Sequence, residues 1–67
     1  MISITVNGAP RQFRPPLTCD GLLNQLELTG KRVAIERNGE IVPRSRFPEQ
    51  ILAEGDQLEI VVAVGGG

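Results

Sequence analysis

Apolar and polar residues alternate at the start of the chain. Ile2, Ile4 and Val6 are separated by Ser3, Thr5 and Asn7, which is the period of a strand with one buried face. Asn7-Gly8 then supplies the positive φ angles that a tight hairpin prefers. A second short strand is expected through about Arg11 to Arg14. Pro15 and Pro16 stop it, because proline has no backbone N–H to donate to a ladder.

The period then changes. In "LTCDGLLNQLEL", Cys19, Leu22, Leu23 and Leu26 recur at the three- and four-residue spacing of one helical face. Thr18 is suited to the N-cap, and Asp20 favours the positive end of the helix dipole. Gly21 is out of place in a helix interior, where it costs up to about 1 kcal/mol relative to alanine. Gly30 is the expected stop, since glycine readily takes the left-handed conformation that closes a helix.

Beyond the helix, "VAIERNGEIV" reads as a strand, an Asn38-Gly39 turn and a short returning strand. Pro43 and Pro48 make "PRSRFPEQ" irregular, with room for one short helical turn, and Gly55-Asp56 resets the chain. The final run, "QLEIVVAV", sets Leu58, Ile60, Val62 and Val64 on one face and Gln57, Glu59, Val61 and Ala63 on the other. Its end is apolar on both faces. That places it in the interior of a sheet, with pairing parallel to the first strand as one option.

The predicted order is strand, strand, helix, strand, strand, strand. It implies a single α+β domain over residues 1–67: a mixed four- or five-stranded sheet with one helix across its buried face. A chain of 67 residues has room for no more.

Composition narrows the function. Seven basic and eight acidic residues give a net charge of -1, scattered singly or in pairs, and Phe13 and Phe47 are the only aromatics. Nucleic-acid binding is not expected, since it needs a clustered positive surface and, for single strands, stacking platforms. No membrane partner is expected either. The longest apolar run, Ile60 to Val64, falls far short of the roughly 20 residues that span a bilayer. The opening residues lack the features of a secretion signal, and a lone cysteine cannot form a disulfide within the chain, so a cytoplasmic setting is expected.

Catalytic chemistry is poorly supplied. There is no histidine, so neither a Ser-His nor a Cys-His nucleophile pair exists. No P-loop and no metal-ligand pattern is present in the sequence, so no catalytic residue, bound cofactor or metal is assigned. Cys19 lies near a helix N-terminus, where a thiol pKa can fall. It also shares a face with three leucines, which favours an inert core thiol.

Three features bear on partners. Arg32, Arg37, Arg44 and Arg46 cluster around the third and fourth strands, and Arg37 and Arg44 are candidates for docking. Val61 and Ala63 lie on the face opposite the predicted core, where an exposed apolar patch would mark a docking surface. The third is the ending, Gly65-Gly66-Gly67. Three extended residues reach about 10 Å, and without Cβ atoms they pass through a channel too narrow for other side chains. In that reading the Gly67 carboxylate is the working group, activated as an acyl-adenylate for attack by sulfur or nitrogen; in the plain one the glycines are a disordered end.

The opening "ITVNG", the helix "TCDGLLNQL", the stretch "VAIERNGEIVPRS" and the ending "EGDQLEIVVAVGGG" together resemble the ubiquitin-like β-grasp sulfur carriers, most closely those of thiamine biosynthesis. The resemblance covers essentially the whole chain. It departs at Cys19, where valine is expected after the threonine, and that supports the core reading of the thiol. The resemblance implies a carrier without catalysis of its own. An adenylyltransferase related to ubiquitin-activating enzymes would use Mg-ATP to adenylate Gly67. Sulfur drawn from cysteine through a desulfurase system would make the thiocarboxylate, and the carrier would deliver it to thiazole synthase. Gly65 and Gly66 would give the tail access. The small subunit of molybdopterin synthase has the same implied fold and is less similar through "ERNGEIVPRS". A protein modifier joined to target lysines and a noncovalent interaction module are the remaining alternatives.

Overall fold

The computed structural model describes residues 1–63; Val64 and Gly65 to Gly67, including the final inward position of the last strand and the whole glycine tail, lie outside the described residues. The elements run β1 (Ile2–Val6), β2 (Ala9–Phe13), β3 (Leu17–Thr18), α1 (Cys19–Gln25), β4 (Val33–Arg37), β5 (Glu40–Val42), a 3-10 turn (Arg44–Arg46), β6 (Ile51–Leu52) and β7 (Gln57–Val62).

Five strands form one mixed sheet in the order β2-β1-β7-β4-β5. β1 and β7 are parallel, with Thr5 opposite Gln57 and Val6 opposite Leu58, and the remaining pairs of this sheet are antiparallel. The last strand is therefore central, with both of its edges paired. Its inward residues Leu58 and Ile60 join Ile4, Val6, Ile35 and Val42 from the sheet and Cys19, Leu22 and Leu23 from the helix in one buried cluster. Phe13, Leu17, Phe47 and Leu52 close its margins.

The helix starts where the sequence indicates. Thr18 is extended and its Oγ1 accepts a hydrogen bond from the Gly21 N–H at 3.0 Å. Gly21 has a packing reason, because a Cβ there would lie 3.3 Å from Leu17 Cδ1 and 3.4 Å from Thr18 Oγ1. The helix ends sooner than Gly30. Leu26 is the C-cap, and Glu27 takes the left-handed conformation at φ 59°. The Leu28 N–H returns to the Leu23 carbonyl at 2.8 Å and the Glu27 N–H to the Asn24 carbonyl at 3.1 Å, which together make a Schellman motif. Leu28 packs against the core, so the chain must reverse at Glu27 to bring it there. Gly30, at φ 84°, serves the loop beyond.

Two other boundaries differ from expectation. β2 begins at Ala9 rather than about Arg11, because the left-handed Asn7 and Gly8 (φ 51° and 83°) close a two-residue hairpin and pairing resumes at once. Leu17 and Thr18, for which no strand is expected, pair with Leu52 and Ile51 in a separate two-stranded ladder, Thr18 serving as the helix N-cap as well. Each strand of that ladder is two residues long, too short for any periodicity to declare it.

Candidate functional site

The structure sets the chain that leads to the C-terminal glycines on the central strand and fastens that strand at several points. Backbone pairing between β1 and β7 ends near Leu58, whose carbonyl accepts from the Asn7 N–H at 2.9 Å. The Asn7 side chain continues the ladder. Its Oδ1 accepts from the Ile60 N–H at 2.7 Å and its Nδ2 donates to the Ile60 carbonyl at 3.1 Å. On the other side of β7, Asn38 Oδ1 accepts from the Gln57 N–H at 2.9 Å and the Asn38 N–H donates to the Gln57 carbonyl at 2.8 Å. At the far end the Ala63 N–H donates to the Arg32 carbonyl at 2.9 Å.

Asp56, immediately before β7, is the one buried charged residue among those described, at 6% exposure. Its Oδ2 accepts from Arg37 Nε at 2.8 Å and from the Ala53 N–H at 2.8 Å, and its Oδ1 accepts from Asn38 Nδ2 at 3.0 Å. Burial by itself pushes this carboxyl upward. The bonds from Arg37, Ala53 and Asn38 outweigh burial and hold its pKa below the ordinary 3.8.

Val61 is 64% exposed and Ala63 is also exposed, on the face away from the core. The register sets exposed Ala34 directly opposite Val61. Ile41, likewise 64% exposed, pairs with Glu36, two residues along β4 from Ala34 on the same face. Diagonal neighbours of this kind lie about 7–8 Å apart, so Val61, Ala34 and Ile41 form an apolar stripe beside the exit of β7.

The four arginines do not gather into one patch. Arg37 and Arg46 line a surface cleft of about 210 Å³ together with Ile41, and the Arg37 Nε is already held by Asp56. Arg44 lines a different depression of about 260 Å³ with Asp20, Lys31 and Phe47. Arg32 is exposed and contributes its backbone carbonyl to Ala63. Cys19 is fully buried, and burial pushes its thiol from 9.0 to about 11, with the Arg37 charge pulling the other way. Among the described residues no group of His, Cys, Asp and Glu is placed to hold a metal ion, and no helix is long and apolar enough to cross a membrane.

Sequence reasoning missed Asp56 and the side-chain roles of Asn7 and Asn38. Their Asn-Gly context signals a turn, and nothing local says that the amides reach a strand about 20 or 50 residues away. Ile41 was accessible to it, since Val42 beside it belongs on the inner face.

A sheet ordered β2-β1-β7-β4-β5, with parallel first and last strands and one helix against its inner face, defines a β-grasp protein. The sequence profile of the ThiS family matches residues 4–67. The chain belongs to the ThiS family. It is 30% identical to the sulfur carrier protein ThiS of Escherichia coli (strain K12) over 66 residues, covering 98% of this chain and 100% of that protein. The crystal structure of the thiamine biosynthesis protein ThiS from Geobacter metallireducens superposes with a TM-score of 0.82 at 32% identity, covering 98% of this chain and all of that one. The chain is also 41% identical over 66 residues to a thiazole synthase of Paramagnetospirillum magneticum, and there it spans only 20% of the relative's length.

Proposed function

We propose that this chain is a sulfur carrier for thiazole formation in thiamine biosynthesis, working through the Gly67 carboxylate. The observation that carries the proposal is the family match, which extends from residue 4 to residue 67 and so takes in Gly65, Gly66 and Gly67. A carboxylate is a poor electrophile and must first be activated. A carboxylate oxygen attacks the α-phosphorus of Mg-ATP held by an adenylyltransferase related to ubiquitin-activating enzymes, and pyrophosphate leaves. A sulfur nucleophile supplied by a cysteine desulfurase system then adds to the acyl carbon and expels AMP, on the route to the thiocarboxylate. The carrier delivers that sulfur to thiazole synthase, a partner favoured by the likeness to the thiazole synthase of P. magneticum.

In this reading the chain supplies a carboxylate and its partners supply the catalysis. Gly65 and Gly66 give the access that a channel without room for Cβ atoms requires. Val61 and Ala63, with Ala34 and Ile41 beside them, are the apolar surface on which the adenylyltransferase docks, and Arg37 and Arg44 are peripheral contacts. A cytoplasmic, reducing setting suits a chain whose one cysteine is a buried free thiol.

The test is the intact mass after incubation with Mg-ATP, the adenylyltransferase and a cysteine-derived sulfur source, with a Gly67 deletion alongside. A gain matching replacement of one oxygen by sulfur, absent in the deletion, supports the carrier. Absence of both adenylate and thiocarboxylate with an active partner preparation overturns it.

A further inference from the structure

Both strands that flank β7 are followed by an Asn-Gly turn, and both asparagines are built into the structure in the same way. Asn7 and Asn38 are left-handed at φ 51° and 52°, followed by Gly8 and Gly39 at 83° and 87°. Each uses its Oδ1 to accept a β7 amide, from Ile60 and Gln57 respectively. They differ in where Nδ2 points: Asn7 donates to the neutral Ile60 carbonyl at 3.1 Å, and Asn38 donates to the Asp56 carboxylate at 3.0 Å.

Asparagine followed by glycine is the dipeptide most open to loss of ammonia, because no Cβ on the second residue hinders attack by its nitrogen. The glycine nitrogen bonds to the asparagine Cγ, the Cγ–Nδ2 bond breaks, and the glycine amide proton leaves with the departing ammonia. Water then opens the succinimide to aspartate or isoaspartate. No reagent besides water is consumed.

We propose that Asn38-Gly39 and Asn7-Gly8 are deamidation sites guarded by the fold, and that conversion of Asn38 to aspartate is the more damaging event. The guard is geometric. Both Cγ amides are pinned by two hydrogen bonds to the other strand or its preceding turn, so attack requires the turn to open. The asymmetry is electrostatic. An aspartate at 38 faces the Asp56 carboxylate within hydrogen-bond distance in a site where Arg37 is the one cation bonded to it. An aspartate at 7 loses its donor to Ile60 but meets a neutral carbonyl. Like charges at such a distance repel, and Asp56, itself buried, has little water to screen it even though position 38 is exposed.

Two experiments test this. In the first, native and urea-unfolded protein are held at mildly alkaline pH and the Asn7 and Asn38 peptides are followed by mass for conversion of amide to acid. Conversion is expected at both sites in urea and at least about tenfold more slowly in the native protein; equal rates overturn the guard. The second compares chemical unfolding of Asn38→Asp, Asn7→Asp and the double variant Asn38→Asp/Asp56→Asn. Asn38→Asp should have the lower midpoint of the two singles. The double variant exchanges the amide and carboxylate, so that an amide at 56 keeps an oxygen for Arg37 and Ala53 and donates to the carboxylate at 38. It should be more stable than Asn38→Asp alone, even where that single variant fails to fold. A double variant no more stable than the single, or Asn7→Asp weaker than Asn38→Asp, overturns the asymmetry.

Discussion

Asp56→Ala removes the carboxylate that ties Arg37, Asn38 and Ala53 to the start of the central strand. Hydrogen bonds to a charged group contribute about 1.5–3 kcal/mol each in net stability, yet the three do not simply add. The Arg37 side chain is 31% exposed and Ala53 is exposed, so both donors regain water when the carboxylate is gone. Asn38 still holds the Gln57 N–H. The expected cost is therefore about 3 kcal/mol, at the low end for breaking a buried ion pair. A domain of this size has about 3–10 kcal/mol in total, so the variant should lose a third of its stability or more and more than about 10 °C in Tm.

Urea unfolding followed by far-ultraviolet circular dichroism measures the loss, and pH gives it a signature. Because the folded-state pKa of Asp56 lies below 3.8, the unfolded chain takes up this proton first as pH falls. The stabilisation is present in full above the unfolded value, near pH 4, and is lost as pH falls through the lower folded value. The gap between parent and Asp56→Ala should thus be widest near neutrality and narrow below about pH 4. A loss smaller than about 1 kcal/mol, or a gap that does not change across the acid range, would refute the assignment of Asp56 as the anchor of β7.

Glu27→Gly should stabilise the protein by up to about 1 kcal/mol, seen as a higher Tm, because glycine takes the left-handed C-cap without the steric cost that glutamate bears; a lower Tm would place the Glu27 side chain in some supporting role. Cys19 should resist iodoacetamide in the native protein at pH 8, where a thiol with a pKa of about 11 is only about one part in a thousand thiolate; labelling as fast as in urea would contradict its burial. Since that pKa is raised from 9.0, the contribution of Cys19 to stability is complete below pH 9 and is lost as pH rises through about 11. Val61→Asp should weaken binding to the adenylyltransferase at least about tenfold while leaving the urea midpoint nearly unchanged, because exposed substitutions seldom move stability by more than about 0.5 kcal/mol; unaltered binding would remove the outer stripe from the docking surface.

Most of the secondary structure lies in local pattern. The alternation in Ile2, Ile4 and Val6, the leucine face of the helix, the Thr18 cap and the two Asn-Gly turns are each short-range signals, and the structure carries every one of them. The apolar run of β7 also fits a central strand, whose two edges are both paired, although its outer face stays open at Val61. Where the helix stops was decided otherwise. Gly30 has the better local chemistry, but Leu28 gains burial only if the chain turns at Glu27, and burial of a leucine outweighs a left-handed backbone.

The candidate site divides along the same line. The outward Val61 and Ala63 and the buried fate of Cys19 were legible because each depends on residue type and period alone, whereas the glycine tail lies outside the described residues. The arginines were not, since Arg37 is taken up by a carboxylate 19 positions away, Arg44 and Arg46 line different clefts, and Arg32 lines neither. Asp56 and the amides of Asn7 and Asn38 acquire their roles only when β1 and β4 close on either side of β7. A hydrogen bond spanning 53 residues leaves no local trace, because its partners are brought together by burial of the apolar face and not by any preference of the residues themselves.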